Sequence, residues 1–166
     1  MLDIRGIAFH WVANPGSTAI GNRNYFNSLK SQTTLPRRYA SSHEVIGLDG
    51  EVIICIPKNE VAFHSGGKVY KSRVKEILNN SPNRHLYGIE VCHPDWSGKF
   101  SNVTYRALLD RVVDLLIEFN LKPSIDTLWR HYDVTGKDCP RYYVNNKKEW
   151  LQLINDVTYR YNERRG

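Results

Sequence analysis

No apolar run in the 166 residues approaches the roughly 20 that a membrane-spanning helix needs. The N-terminus has no basic start followed by an apolar block. Asp3 and Arg5 interrupt the stretch from Met1 to His10, which is not the pattern of a secretory leader. The chain is therefore expected to be made and folded in a cytoplasm. Only three cysteines are present, Cys55, Cys92 and Cys139, too few for a disulfide framework. Cys55 in VIICI and Cys92 after IEV occupy strand-like apolar settings and read as small buried side chains. Internal repeats, low-complexity tracts and long Pro/Gly/Ser linkers are missing too. The whole span 1–166 is read as one domain, long enough to bury a sizeable core.

Concentrated charge is also scarce. Lys and Arg outnumber Asp and Glu by 23 to 17, for a net charge of +6, which favours an anionic partner. Yet the densest basic clusters, Arg37-Arg38 and Lys147-Lys148, are only pairs. With no basic helix and no recognised binding motif, nucleic acid is not the expected partner. Hydrophobic residues at 41% and charged residues at 24% are ordinary for a globular chain.

The hydrophobic pattern alternates between strands and helices. Residues 4–12 (IRGIAFHWV) read as a buried strand that ends at the turn Asn14-Pro15-Gly16, and 18–30 as a short helix. SSHEVIGLDGEVIICIP reads as two strands joined by a turn at Leu48-Asp49-Gly50, because Asp-Gly between apolar runs favours a hairpin. A further strand is expected at 86–92. Ser101 or Asn102 then caps a helix whose apolar face carries Leu108, Val112, Leu115, Leu116 and Phe119. A short strand is expected near 125–129 and a last helix at 147–161, with Trp150, Ile154, Val157 and Tyr161 on one stripe. The fold class that follows is α/β: a single domain with a mixed central sheet flanked by helices.

Among six histidines, three positions stand out with chemistry in view. His10 ends a strand just before an irregular turn, where a rigid scaffold can display a ligand. His131 and Cys139 flank the short loop HYDVTGKDC, which Pro140 terminates, and that loop can fold back to bring imidazole and thiolate to one centre. Zinc accepts both donors, although this spacing is no standard zinc-finger pattern.

Four stretches, taken in order, resemble the family of zinc-dependent N-acetylmuramoyl-L-alanine amidases, which includes phage endolysins, bacterial autolysins and the animal peptidoglycan recognition proteins. They are IAFHWVANP, SSHEVIGLDGEVIICIP with VAFHSG, YGIEVC, and the most specific, WRHYDVTGKDCP. The match spans about residues 4–145. The resemblance implies that His10, His131 and Cys139 hold Zn2+, and that Glu90 is the acidic catalytic residue and Lys137 the basic one. Some branches carry a tyrosine just before the position of His43. Here Ser42 stands there, so that role cannot be carried over and Glu90 becomes the candidate for proton transfer.

His64 is expected to line the cleft and touch substrate, with Trp96 and Tyr132 as further substrate contacts. The loops around Asn14, Trp96 and Lys137 would form the walls of that cleft, at one edge of the sheet. His43 reads as structural, and His85 and His93 as surface or loop residues. The implied partner is bacterial cell-wall peptidoglycan, cut between the lactyl group of N-acetylmuramic acid and the L-alanine of the stem peptide. The expected setting is an endolysin held in the host cytoplasm until release, acting as a monomeric catalytic domain, with room for a separate wall-binding domain after it. A module that binds the wall without cutting it is the other reading. The family loses its cysteine ligand in such members, and Cys139 is present here.

Overall fold

The computed structural model describes residues 2–166. Its elements run β1 (Gly6–Trp11), α1 (Ala19–Ser28), β2 (Glu44–Ile46), β3 (Val52–Ile54), α2 (Ser72–Leu78), α3 (Pro82–His85), β4 (Leu86–Val91), α4 (Asn102–Glu118), β5 (Leu128–Arg130), α5 (His131–Thr135), α6 (Arg141–Asn145) and α7 (Lys147–Arg165). The five strands form one sheet in the order β3-β2-β4-β1-β5, with β2 and β3 antiparallel and every other pair parallel. This is the expected mixed sheet.

Period-two alternation sorts β1 between two layers. Ile7, Phe9 and Trp11 join Tyr87, Ile89, Val91 and Leu128 in the larger core. The apolar stripes of α4 (Leu108, Val112, Leu115, Leu116) and α7 (Trp150, Ile154, Val157, Tyr161) complete it. Phe9 meets Trp150 edge-on at 5.5 Å between ring centres. On the opposite face Ala8 packs with Leu86, Trp129, Val74, Leu78 and Val134 in a smaller cluster. His10 follows Ala8 on that second face.

The main departures from expectation are at short elements. α2, α3 and α6 have seven, four and five residues, too few to print a helical period on the sequence. The strand expected near 125–129 forms at Leu128–Arg130, because Ser124 to Thr127 closes a turn through Thr127 N–H to Ser124 O (3.2 Å) and Thr127 Oγ1 to Lys122 O (2.6 Å). The segment expected as a loop after His131 begins with the helical turn α5. Asp133 accepts a hydrogen bond from the Arg130 backbone at 2.9 Å, and Gly136 ends the turn at φ +84°, where a side chain would be strained.

Glu44 is fully buried in the sheet, yet it is not orphaned. Its two oxygens accept Nε of Arg111 from α4 at 2.9 and 3.0 Å, and Tyr87 donates its hydroxyl at 2.6 Å. Arg111→Leu should strip a buried carboxylate of its counter-ion and cost about 3–5 kcal/mol. The melting temperature should fall by roughly 6–20 °C. Asp3→Ala, which removes an exposed pair with Arg5, should cost under about 1 kcal/mol. Thermal denaturation of both variants checks the contrast. Equal small shifts would mean that the buried pair contributes little.

Candidate metal centre

β4, β1 and β5 lie side by side; β4 and β1 end level at Val91 and Trp11, and β5 ends at Arg130, level with Phe9. Register pairs His10 with Glu90 on one side of β1, and Phe9 with Arg130 on the other, so His131 comes next to His10 one step further on. Parallel partners point to the same face, so Glu90 and His10 project together near the carboxyl ends of their strands, and His131, just past the end of β5, joins them in one cavity. Open α/β sheets bind ligands at such a crevice. The turn α5 then reverses the chain, with Tyr132 N–H donating to Cys139 O at 3.0 Å, and returns Cys139 to the same place.

His10, His131 and Cys139 are all buried, and their donor atoms lie within 4.8 Å of one another. His10 Nδ1 is 3.7 Å from Cys139 Sγ. His131 gives Nε2 to the Gly66 carbonyl at 3.2 Å, while its Nδ1 is sealed from solvent without any partner. An orphaned buried nitrogen is costly unless something binds it. Burial pushes the Cys139 thiol up to about 12, so a thiolate there needs a cation beside it. Two imidazoles and one thiol, with a free nitrogen lone pair turned inward, fit a zinc ion with an open fourth position.

These residues open onto a cavity of about 200 Å³ that is also lined by Glu90, Lys137 and His64. Glu90 Oε2 is shielded from solvent without a hydrogen bond. Burial raises this carboxyl to about 8, and the Lys137 cation works against that rise. Burial also lowers the histidines: His131 to about 4 with help from Lys137, His64 to about 3, and His10 well below its ordinary value.

His64 lines the cavity, but both of its ring nitrogens are already engaged. Nδ1 lies 3.0 Å from His10 Nε2 and 2.9 Å from Ser65 Oγ, and Nε2 is 3.1 Å from the Leu86 carbonyl. Trp96 and Tyr132 are outside the lining altogether. Trp96 is largely exposed and reaches Trp11 edge-on at 6.3 Å, while the Tyr132 ring lies under Lys71 Nζ at 3.8 Å. The walls instead include Tyr25, Phe26, Ser41 and Phe63, which sequence reasoning did not single out. Of these, Phe63 in VAFHSG and Ser41 at the start of SSHEVIGLDGEVIICIP lay within stretches that carry the resemblance. The site is at the strand ends, with β5 as the sheet edge, and Ala13, not Asn14, lines the wall there.

Other positions differ in detail. His43 is structural, stacked on Tyr87 at 4.3 Å with Nδ1 accepting the Gly88 N–H. His93 lies in a loop but is fully buried, because it stacks on Trp11 at 4.7 Å. His85 is half-buried, with Nδ1 donating to Asp3 O at 2.8 Å. Cys92 is buried, and Cys55 is half-buried at the side of a neighbouring cavity. Two cavities adjoin the central one through Phe26 and Ser41. Arg23, Lys30, Arg37 and Arg38 line them and no acidic residue does.

A family model described as N-acetylmuramoyl-L-alanine amidase matches residues 1–142. The chain belongs to that family. A probable N-acetylmuramoyl-L-alanine amidase of Bacillus licheniformis is 35% identical over 145 residues, covering 86% of this chain and 38% of that protein. The amidase BlyA of Bacillus subtilis (strain 168) is 33% identical over 167 residues, covering 94% of this chain and 42% of that protein. The chain thus spans about two fifths of the length of these curated amidases. Among solved structures, the catalytic domain of XlyA is similar with a TM-score of 0.66 and 26% identity, over 93% of this chain and 86% of that domain. Among the described residues of this family member, no helix is long and apolar enough to cross a membrane.

The buried titratable groups set how stability of the metal-free protein depends on pH. His64 and His131 have folded values of about 3 and 4, against 6.5 for the unfolded state. Below pH 6.5 the unfolded chain binds more protons, so stability falls as pH drops from 6.5 towards 4. Glu90 has the opposite sign. Its folded value of about 8 means that the native state binds the extra proton between 4.5 and 8, and its contribution falls as pH rises through that window. Glu90→Gln in chelator-treated protein should therefore gain more melting temperature at pH 8 than at pH 5. A gain independent of pH would show that the Glu90 carboxyl is not raised.

Proposed function

We propose that this chain is the catalytic part of a zinc-dependent peptidoglycan hydrolase. It cleaves the amide between the lactyl group of N-acetylmuramic acid and the L-alanine of the stem peptide. The observation that carries the reading is the convergence of His10, His131 and Cys139, with Glu90 and Lys137, on one cavity in a chain of the amidase family.

Zinc held by His10, His131 and Cys139 supplies Lewis acidity, polarising a carbonyl and making water a competent nucleophile near neutral pH. Glu90 takes the proton of the attacking water and returns it to the departing alanine nitrogen. A carboxyl raised by burial and restrained by Lys137 suits a group that must both accept and release a proton near neutrality. Lys137, exposed at the cavity wall, places a compact cation where negative charge develops on the carbonyl oxygen. The acid-free run of Arg23, Lys30, Arg37 and Arg38 beside the cavity suits a wall polymer rich in anionic groups. Because the cysteine ligand is present and converges with the histidines, cutting is favoured over binding alone. We read the setting as that of an endolysin, released from the host cytoplasm to reach the wall.

Digestion of purified wall should release new amino termini on alanine and no new reducing sugars. Reducing ends in their place would make the chain a glycosidase. The site variants separate metal binding from chemistry. Cys139→Ser should lose zinc, because a hydroxyl is a far poorer ligand than a thiolate. Glu90→Ala and Lys137→Ala should keep zinc by metal analysis yet lose on the order of 10²–10⁴-fold and 10²–10³-fold in turnover, respectively. A zinc-loaded Glu90→Ala protein that lyses wall at the native rate would remove Glu90 from the chemistry.

A further inference from the structure

The hydrogen bonds around His64 fix more than its own position. The Leu86 carbonyl can only accept, so the His64 nitrogen 3.1 Å from it, Nε2, carries a proton. A neutral imidazole has one such proton, and its Nδ1 is therefore an acceptor. Two atoms point at this lone pair, Ser65 Oγ at 2.9 Å and His10 Nε2 at 3.0 Å. Two lone pairs cannot face each other at that distance, so His10 carries its proton on Nε2. Its Nδ1 is then the bare nitrogen, the one 3.7 Å from Cys139 Sγ. The Gly66 carbonyl does the same directly for His131, fixing Nε2–H and leaving Nδ1 open. His10 has no such carbonyl. Its ring hydrogen-bonds only with His64 and Cys139.

We propose that His64 is a positioning residue: a neutral imidazole relay from the Leu86 carbonyl that fixes the tautomer and ring orientation of His10, so that His10 presents Nδ1 to the metal. This rests on the zinc-amidase reading of the site. It gives both ring nitrogens of His64 a task within the protein.

The surroundings of His64 are built to hold it there. Asn83 Oδ1 accepts the backbone N–H groups of His64 and Ser65 at 3.2 and 2.8 Å. Beneath the ring lies Gly88 of β4, where a Cβ would come within 2.4 Å of the imidazole. Any other residue at that point would lift His64 off the strand and away from His10. Of the buried imidazoles in the cavity wall, His64 has both nitrogens engaged outside the candidate metal group, to which it gives no donor atom. Partners that orient a ligating imidazole typically change metal affinity 10–100-fold when removed.

The test is zinc affinity of the whole chain, measured by competition with a chromophoric chelator, for native protein, His64→Ala, His64→Asn and His64→Leu. Asparagine places an acceptor oxygen close to where Nδ1 stood but cannot reach the Leu86 carbonyl. His64→Ala should bind zinc about 10–100-fold more weakly, and His64→Asn should recover most of that loss. A merely space-filling role would be rescued at least as well by His64→Leu, which restores volume without an acceptor and, on the relay, should leave the loss in place. Long-range proton–nitrogen NMR of the metal-free protein gives a second readout. His10 should be protonated at Nε2 in the native chain and in His64→Asn, and should become a tautomer mixture in His64→Ala. If His64→Ala proves poorly folded, the Asn variant and the native NMR spectrum still decide the matter. Native His10 protonated at Nδ1, or a folded His64→Ala with native zinc affinity and an unchanged His10 signal, would overturn the proposal. Native protein that binds no zinc would instead overturn the zinc reading beneath it.

Discussion

β4, β1 and β5 run parallel, and the pairing of His10 with Glu90 and of Phe9 with Arg130 fixes where the polar residues of this molecule stand. A slip of one residue in either ladder would turn a strand over and send its core side chains to the site face. The apolar residues Ile7, Phe9 and Trp11 lock the register by filling the larger core under α4 and α7. The same alternation that buries them obliges Ala8 and His10 to face the other way. Packing on one side of the sheet therefore holds the site on the other.

That second face is crowded with polar groups in a place with little water, and hydrogen-bond accounting explains its shape. Backbone carbonyls of Gly66, Leu86 and Glu60 each fix the proton of one imidazole, those of His131, His64 and His43. Three buried side-chain atoms among the described residues have no partner, and two of them, Glu90 Oε2 and His131 Nδ1, belong to residues of the cavity. Core polar groups are satisfied by the fold. Groups left open at a cavity are available to whatever enters it, and here they sit with a thiol whose pKa burial raises.

Membership of the amidase family and this donor set point the same way from independent grounds. The family match covers residues 1–142 and says nothing of protonation or geometry. The hydrogen bonds around His10, His64 and His131 owe nothing to the family and still leave two nitrogens and one sulfur turned towards each other. The stretch after residue 142, mostly α7, serves the core through Trp150, Leu153, Ile154, Val157 and Tyr161.

By itself the sequence determined the long elements and singled out the three residues that the fold brings together as a possible metal site. The stripes of α4 and α7 repeat at the helical period, and the Asp-Gly turn sits between apolar runs, so local rules suffice for them. His10 was legible from its place at the end of the strand IAFH, and His131 and Cys139 from the resemblance carried by the whole stretch WRHYDVTGKDCP, not from their spacing. Trp96 and Tyr132 do not line this cavity; an aromatic ring in a loop looks alike in sequence whether it faces a cavity or packs on another ring or a cation. The short helices left no period to read, and His93 gave no sign that Trp11 would cover it. Only the tertiary structure decided what His64 does. Its partners are His10, 54 residues away, and the Leu86 carbonyl, 22 residues away, and which nitrogen carries a proton depends on that carbonyl. No local pattern encodes a hydrogen bond between distant segments. It exists only once the strands have met and Gly88 has left room for the ring.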